Sequence, residues 1–141
     1  MKHPTIISLT LSALLVPAFA LSFQSHPLER YLFFGGDGYL QFLGCLDCKQ
    51  SNRTSIYNNL EEYGSDFSQN SLMNPDSMYS KLGSVYSACE PSASYPPLLV
   101  DQDGVKYGFL TVNESFEDRL EGGAFQLLIH QVCFNETHQD N

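Results

Sequence analysis

Tryptophan is absent, histidine is scarce at 4 residues, and Lys and Arg together number 7 against 16 acidic residues. Each shortage excludes something. The formal net charge of −9 repels phosphate backbones and anionic headgroups, so no nucleic acid is expected as a partner. Basic partners, divalent cations or plain solubility fit that sign better. No long apolar run follows Val16. A membrane helix needs about 20 apolar residues, so no membrane insertion of the mature chain is expected.

What is present begins with an export signal. Lys2 supplies a positive start, and residues 6–16 form an apolar run broken only by Ser8, Thr10 and Ser12. Pro17 ends it, and Ala18, Phe19 and Ala20 make a small-x-small cleavage site. The run is too short to span a bilayer. Leu21 stands where a lipoprotein would carry cysteine. The expectation is a signal peptide over 1–20 and one exported globular domain over 21–141, periplasmic or extracellular. Loss of Lys2 makes that domain more acidic still.

All four cysteines, Cys45, Cys48, Cys89 and Cys133, fall in the exported part. An even count in an exported chain points to disulfides, and the three possible pairings stay open at this stage. A bridge from the Cys45/Cys48 pair to Cys89 or Cys133 would close a long loop, worth roughly 4 kcal/mol in the chain-entropy model. Two rival uses exist. A four-cysteine zinc site would need Cys89 and Cys133 as the other thiolates, although neither belongs to a second Cys-x-x-Cys knuckle. A thiol-redox pair would need a strand-helix-strand setting that the sequence around Cys45 lacks.

The pattern predicts an α+β fold. Tyr31-Leu32-Phe33-Phe34, a Gly/Asp turn over 35–38, and Tyr39-Leu40-Gln41-Phe42-Leu43 read as one antiparallel hairpin. Leu98-Leu99-Val100, a turn over 101–104 and residues 105–112 read as another. Phe125, Leu128, Ile129 and Val132 recur at helical spacing, with Leu127 and Phe134 on the other side. This predicts a C-terminal helix packed on the sheet and apolar most of the way round. Residues 114–121 have room for one helical turn. Between Asn52 and Pro97 lies a turn-rich middle with a degenerate repeat. Ser55-Ile56-Tyr57-Asn58 is echoed by Ser71-Leu72-Met73-Asn74, and Tyr63-Gly64-Ser65 by Leu82-Gly83-Ser84; a worn third copy starts near Cys89. Short helical turns, opened by a serine cap and closed by a left-handed glycine, are expected there.

Candidate chemistry is thin. Asp101, Asp103 and Gly104 invite a calcium reading but supply too few oxygens, and a hairpin turn explains them. His26, His130 and His138 have no nucleophile placed beside them by any motif. Glu61 and Glu62 read as a solvated face. Asn52-Arg53-Thr54, Asn113-Glu114-Ser115 and Asn135-Glu136-Thr137 have the form of glycosylation acceptors. Tyr57, Tyr63, Tyr79 and Tyr86, with Tyr95, are binding-surface candidates for protein or carbohydrate, because a ring offers a flat apolar face and a hydroxyl. The same rings also serve to fill the core of a Trp-free protein.

Three stretches carry a resemblance: Leu43-Gly44-Cys45-Leu46-Asp47-Cys48, the Ser55 and Ser71 units with their Tyr-Gly-Ser and Leu-Gly-Ser ends, and Pro96-Pro97 through Asp101, Gly104, Tyr107-Gly108, Thr111 and Asn113. In that order the chain resembles an uncharacterised family of small bacterial secreted domains. The resemblance implies a bacterial exported protein and supplies no catalytic residues. The expected function is a non-enzymatic binding or structural module stabilised by disulfides, with no cofactor. A zinc-binding or thiol-redox protein using the Cys-x-x-Cys pair is the alternative.

Overall fold

Phe33 is fully buried while Leu32 and Phe34 on either side are half-buried, the period of two that marks a strand with one face inward. This strand, β1 (Tyr31–Gly35), is central in a computed structural model that describes residues 30–134. The expected signal peptide over 1–20, His26, His138 and the Asn135 triplet lie outside the described residues. On one side β1 pairs with β2 (Gln41–Cys45), and on the other with β3 (Leu98–Asp101). β4 (Lys106–Phe109) completes a four-stranded sheet of order β2-β1-β3-β4, antiparallel throughout. With α1 (Gly123–Cys133), the one α-helix among the described residues, this is the expected α+β fold built on two hairpins.

The first hairpin turns differently from the simplest reading. Tyr39 adopts a left-handed φ of 57° within a 3-10 turn, Asp37–Tyr39, so β2 starts at Gln41. Leu40 is left 87% exposed. In the second hairpin the Asp101 carboxylate accepts from the backbone N–H of Asp103 and Val105, and Gly104 closes the turn at φ 80°.

Phe33, Leu43 and Leu99 point inward and share one core with Ile56, Leu72, Ala88, Leu110, Leu128 and Val132. On the other face Phe42, Phe34, Leu98 and Phe109 stand in register across the four strands. Only one stripe of α1 joins the core: Leu128, Val132 and Cys133 are buried, whereas Leu127 is 74% exposed. The helix is therefore amphipathic rather than buried all round. Residues 113–120 contain turns, not a helical turn, with Asn113 accepting from the Ser115 N–H.

The middle is more regular than its composition suggests, and it is not helical. From Lys49 onward the backbone makes β-turns end to end, with N–H groups of Asn52, Ser55, Asn58, Glu61 and Gly64 each bonded to the carbonyl three residues earlier. The pattern recurs at Ser71, Ser77, Ser80, Ser87 and Ala93. Side chains explain why helices do not grow. Ser55, Asn58, Ser65, Ser68, Ser71, Asn74, Ser77, Ser84 and Ser87 each accept from the N–H two residues ahead. That local bond competes with the helical ladder. Several of the same side chains donate backward, Asn58 to Asn52, Asn74 to Ser68, Ser77 to Ser71 and Ser84 to Met78 carbonyls, tying successive turns together.

Ser55, Ser71 and Ser87 are evenly spaced and all fully buried, and each is followed by a fully buried residue: Ile56, Leu72 and Ala88. The third copy of the repeat therefore begins at Ser87, two residues before the expected start. Gly83 takes the left-handed conformation expected of it, φ 78°. Gly64 instead answers a close approach, since a Cβ there would meet the Asn58 backbone.

Candidate functional site

The cysteines pair within the two neighbourhoods, not between them. Cys45 and Cys48 are bonded at an S–S distance of 2.00 Å, and Cys89 and Cys133 at 2.03 Å. The long loop is closed, but by Cys89–Cys133, which ties the third repeat of the turn-built middle, residues 49–93 and hereafter the coil, to the end of α1. With sequence separations of 44 and 3, the chain-entropy model assigns the two bridges about 4 and about 2 kcal/mol. Paired sulfurs carry no thiolate, which zinc requires. The Asp47 carboxylate lies 3.4 Å from the Cys45 sulfur and accepts from the Tyr31 N–H, pinning this corner to β1. Cys45 is 1% exposed and Cys48 is half-buried.

Asp101, besides its two backbone bonds, accepts from the Tyr107 hydroxyl at 3.3 Å, so its oxygens are committed to the hairpin. His130 is exposed on α1 above a cavity of about 260 Å³, whose lining among the described residues includes Glu114, Arg119 and Gln126 but no serine, threonine or cysteine. Glu61 is ion-paired with Arg53 at 3.4 Å, and Glu62 accepts from the Asn70 amide. The side-chain carbonyls of Asn52 and Asn113 are used inside turns.

The tyrosines separate into different roles. Tyr79 is 4% exposed and packs in the core beside Gly35, where burial first and then neighbouring Tyr86 raise its pKa. Tyr63 is half-buried and meets Phe42 edge-on at 4.8 Å. Tyr86 is half-buried and faces Tyr95 at 6.1 Å. Tyr57 packs one side against the core and turns the other to a cleft of about 510 Å³. Burial raises its pKa, so the hydroxyl stays protonated and able to donate at neutral pH.

That cleft lies where the first coil repeat meets α1. Its floor is Ile56, Met73 and the Tyr57 ring, and its rim is Gln50, Asn59, Asp66 and Gln131. The coil positions the rim. Asn59 and Asp66 each follow a turn-opening residue, Asn58 and Ser65, whose side chain folds back on the backbone and leaves its neighbour pointing out. Gln131 comes from the solvent side of α1, held in place by the Cys89–Cys133 bridge two residues further on. Asn52, Asn58 and Asn74 spend their side chains on scaffold bonds. Among the described residues, none of the four rim side chains makes a side-chain hydrogen bond. Of the site, only Tyr57 was visible from sequence. The rest carry no motif, and they converge only through the turn geometry.

Compared with known proteins, the chain matches no family model, no curated protein and no solved structure.

Proposed function

We propose that this chain is an exported, non-enzymatic binding module stapled by two disulfides, with its site in the cleft between the coil and α1. The observation that carries the reading is the convergence of four uncommitted polar side chains over an apolar, aromatic floor, in a volume within the ~300–1,000 Å³ range of small-molecule sites. Export is supported by the leader pattern of residues 1–20 and by two disulfides, which persist in oxidising compartments. Among the described residues no helix is long and apolar enough to cross a membrane. The resemblance to small bacterial secreted domains points the same way.

The test has two parts. Expressed in a bacterium with its leader, the protein should be recovered outside the cytoplasm with Leu21 as its first residue. It should show no free thiol when denatured, and four after reduction. Amide shifts on titration with a small-fragment library should cluster at Gln50, Tyr57, Asn59 and Gln131. Cytoplasmic retention with free thiols would sink the export reading. Fragment shifts spread over the surface, sparing the cleft, would sink the site.

The alternative keeps one specific observation. Cys45, Asp47 and Cys48 place their ligand atoms within 4.8 Å of one another. Once reduced, the pair would present two thiols and a carboxylate at one corner, the makings of a thiol-redox or soft-metal site. A redox role predicts that a dithiol opens Cys45–Cys48 in the native protein before it denatures; resistance until unfolding would leave the staple reading alone.

A further inference from the structure

The cleft has a composition that selects among ligand classes. Gln50, Asn59 and Gln131 are carboxamides, each carrying two donors and a carbonyl acceptor; Asp66 only accepts, and the Tyr57 hydroxyl donates. Among the described residues no Lys, Arg or His lines it. A phosphate or carboxylate ligand would meet no opposite charge and would face Asp66. Among the described residues a divalent cation would find the Asp66 carboxylate alone, where calcium takes 6–8 oxygens. A purely apolar ligand would leave the amides of the rim unpaired once water is displaced, which costs more than an exposed amide does. A polyol satisfies all of these terms. Its hydroxyls both donate and accept, matching amides and carboxylate in turn, while the C–H face of a sugar ring lies flat against an aromatic side chain and the Ile56–Met73 floor. Phe67, next to Asp66 in the chain, is 91% exposed. Among the described residues nothing packs on that ring, so a second flat apolar face adjoins the rim residue.

Resting on the binding-module reading above, we infer that the cleft formed by Gln50, Tyr57, Asn59, Asp66 and Gln131 binds a neutral saccharide. The rim is exposed and each of its bonds competes with water, so affinity for a short glycan is modest. Avidity at a polymeric surface would supply the rest.

The experiment uses the oxidised protein of residues 21–141 and heteronuclear NMR, with cellohexaose, maltohexaose and chitohexaose as probes. Hexalysine, hexaglutamate and cyclohexanol serve as comparison ligands. Saturable shifts at Tyr57, Asn59 and Gln131 with at least one oligosaccharide are expected. Asp66→Ala and Asn59→Ala should each weaken that binding about tenfold, because each removes hydrogen bonds to the ligand without touching the core. Gln69→Ala, exposed and outside the cleft, should leave it unchanged, and all three variants should keep the parent melting temperature. Cleft shifts with hexalysine or cyclohexanol but with no oligosaccharide would overturn the saccharide assignment while leaving the binding cleft intact. Silence of the cleft to every probe would overturn both. Oligosaccharide binding unaffected by Asp66→Ala and Asn59→Ala together would place the sugar elsewhere and overturn the assignment of this site.

Discussion

At the scale of single residues, two glycines that look alike in sequence do opposite jobs. Gly64 has no room: a Cβ would come within about 2.4–2.6 Å of the Asn58 backbone, which cannot step aside as a flexible side chain would. Gly83 has open space around its missing Cβ but a φ of +78°. Gly64→Ala should therefore cost about 2–3 kcal/mol, in the overpacking range, and Gly83→Ala about 1 kcal/mol, the left-handed penalty alone. Urea unfolding of the two variants checks the order, and equal effects would contradict it. Glu90 makes a second residue-scale prediction. Its carboxylate accepts from the Ser92 hydroxyl and from the Gly83 and Ser92 N–H groups, which hold its pKa below the usual 4.5. A carboxylate lowered on folding stabilises the native state above the unfolded pKa, and that contribution disappears as pH falls through the folded value. Acid should loosen the loop from Gly83 to Ser92, and Glu90→Gln should remove that part of the pH dependence; a melting curve unchanged in shape between pH 6 and 3 would refute it. Neither the Gly64 nor the Glu90 role is written in the residue type: Gly64 answers the Asn58 backbone one turn-pair earlier, and Glu90 answers donors on both sides of it, at Gly83 and Ser92.

The coil is the element in which legibility and concealment meet. Its repeated Ser-x-x-Asn units were readable, as were both hairpins and the periodicity of α1, because turn chemistry and apolar spacing are local signals. What the turns add up to was not. Helical caps and β-turn openers use the same serine and asparagine side chains, and only the backward bonds, such as Ser77 to the Ser71 carbonyl, decide for linked turns. The start of the third copy was obscured because Ala88 replaces the large apolar residue of the earlier units. The buried hydroxyls should behave as structural parts. Ser77 both donates to the Ser71 carbonyl and accepts from the Tyr79 N–H while fully buried. Ser77→Ala should cost about 1–3 kcal/mol by stranding both partners, whereas Ser94→Ala, exposed between turns, should be near neutral. Denaturant midpoints compare the two directly. The cleft was illegible for a related reason: Asn59, Asp66 and Gln131 lie on separate turns and a helix, and nothing in their spacing marks convergence.

Over the whole molecule the two disulfides have unequal duties. Cys89→Ala with Cys133→Ala should lose about 4 kcal/mol and free the end of α1, carrying Gln131 out of the cleft; Cys45→Ala with Cys48→Ala should lose about 2 kcal/mol. Hydrogen exchange should show α1 amides deprotected only in the first variant, and equal protection in both would argue that core packing by Leu128 and Val132 alone fixes the helix. The sheet order has a consequence for how the chain reaches this state. β1 finds β2 across one short turn, but its other neighbour, with Leu32 opposite Val100, arrives only after the entire coil has been synthesised. Loop closure over that distance makes the second pairing the slow, late event, during which one edge of the first hairpin stands open to strangers. The local Cys45–Cys48 bridge can lock as soon as its corner emerges, whereas Cys89 must wait for the last helix. A nascent chain therefore spends its most vulnerable interval half-zipped, and the speed at which the coil compacts sets how long that interval lasts.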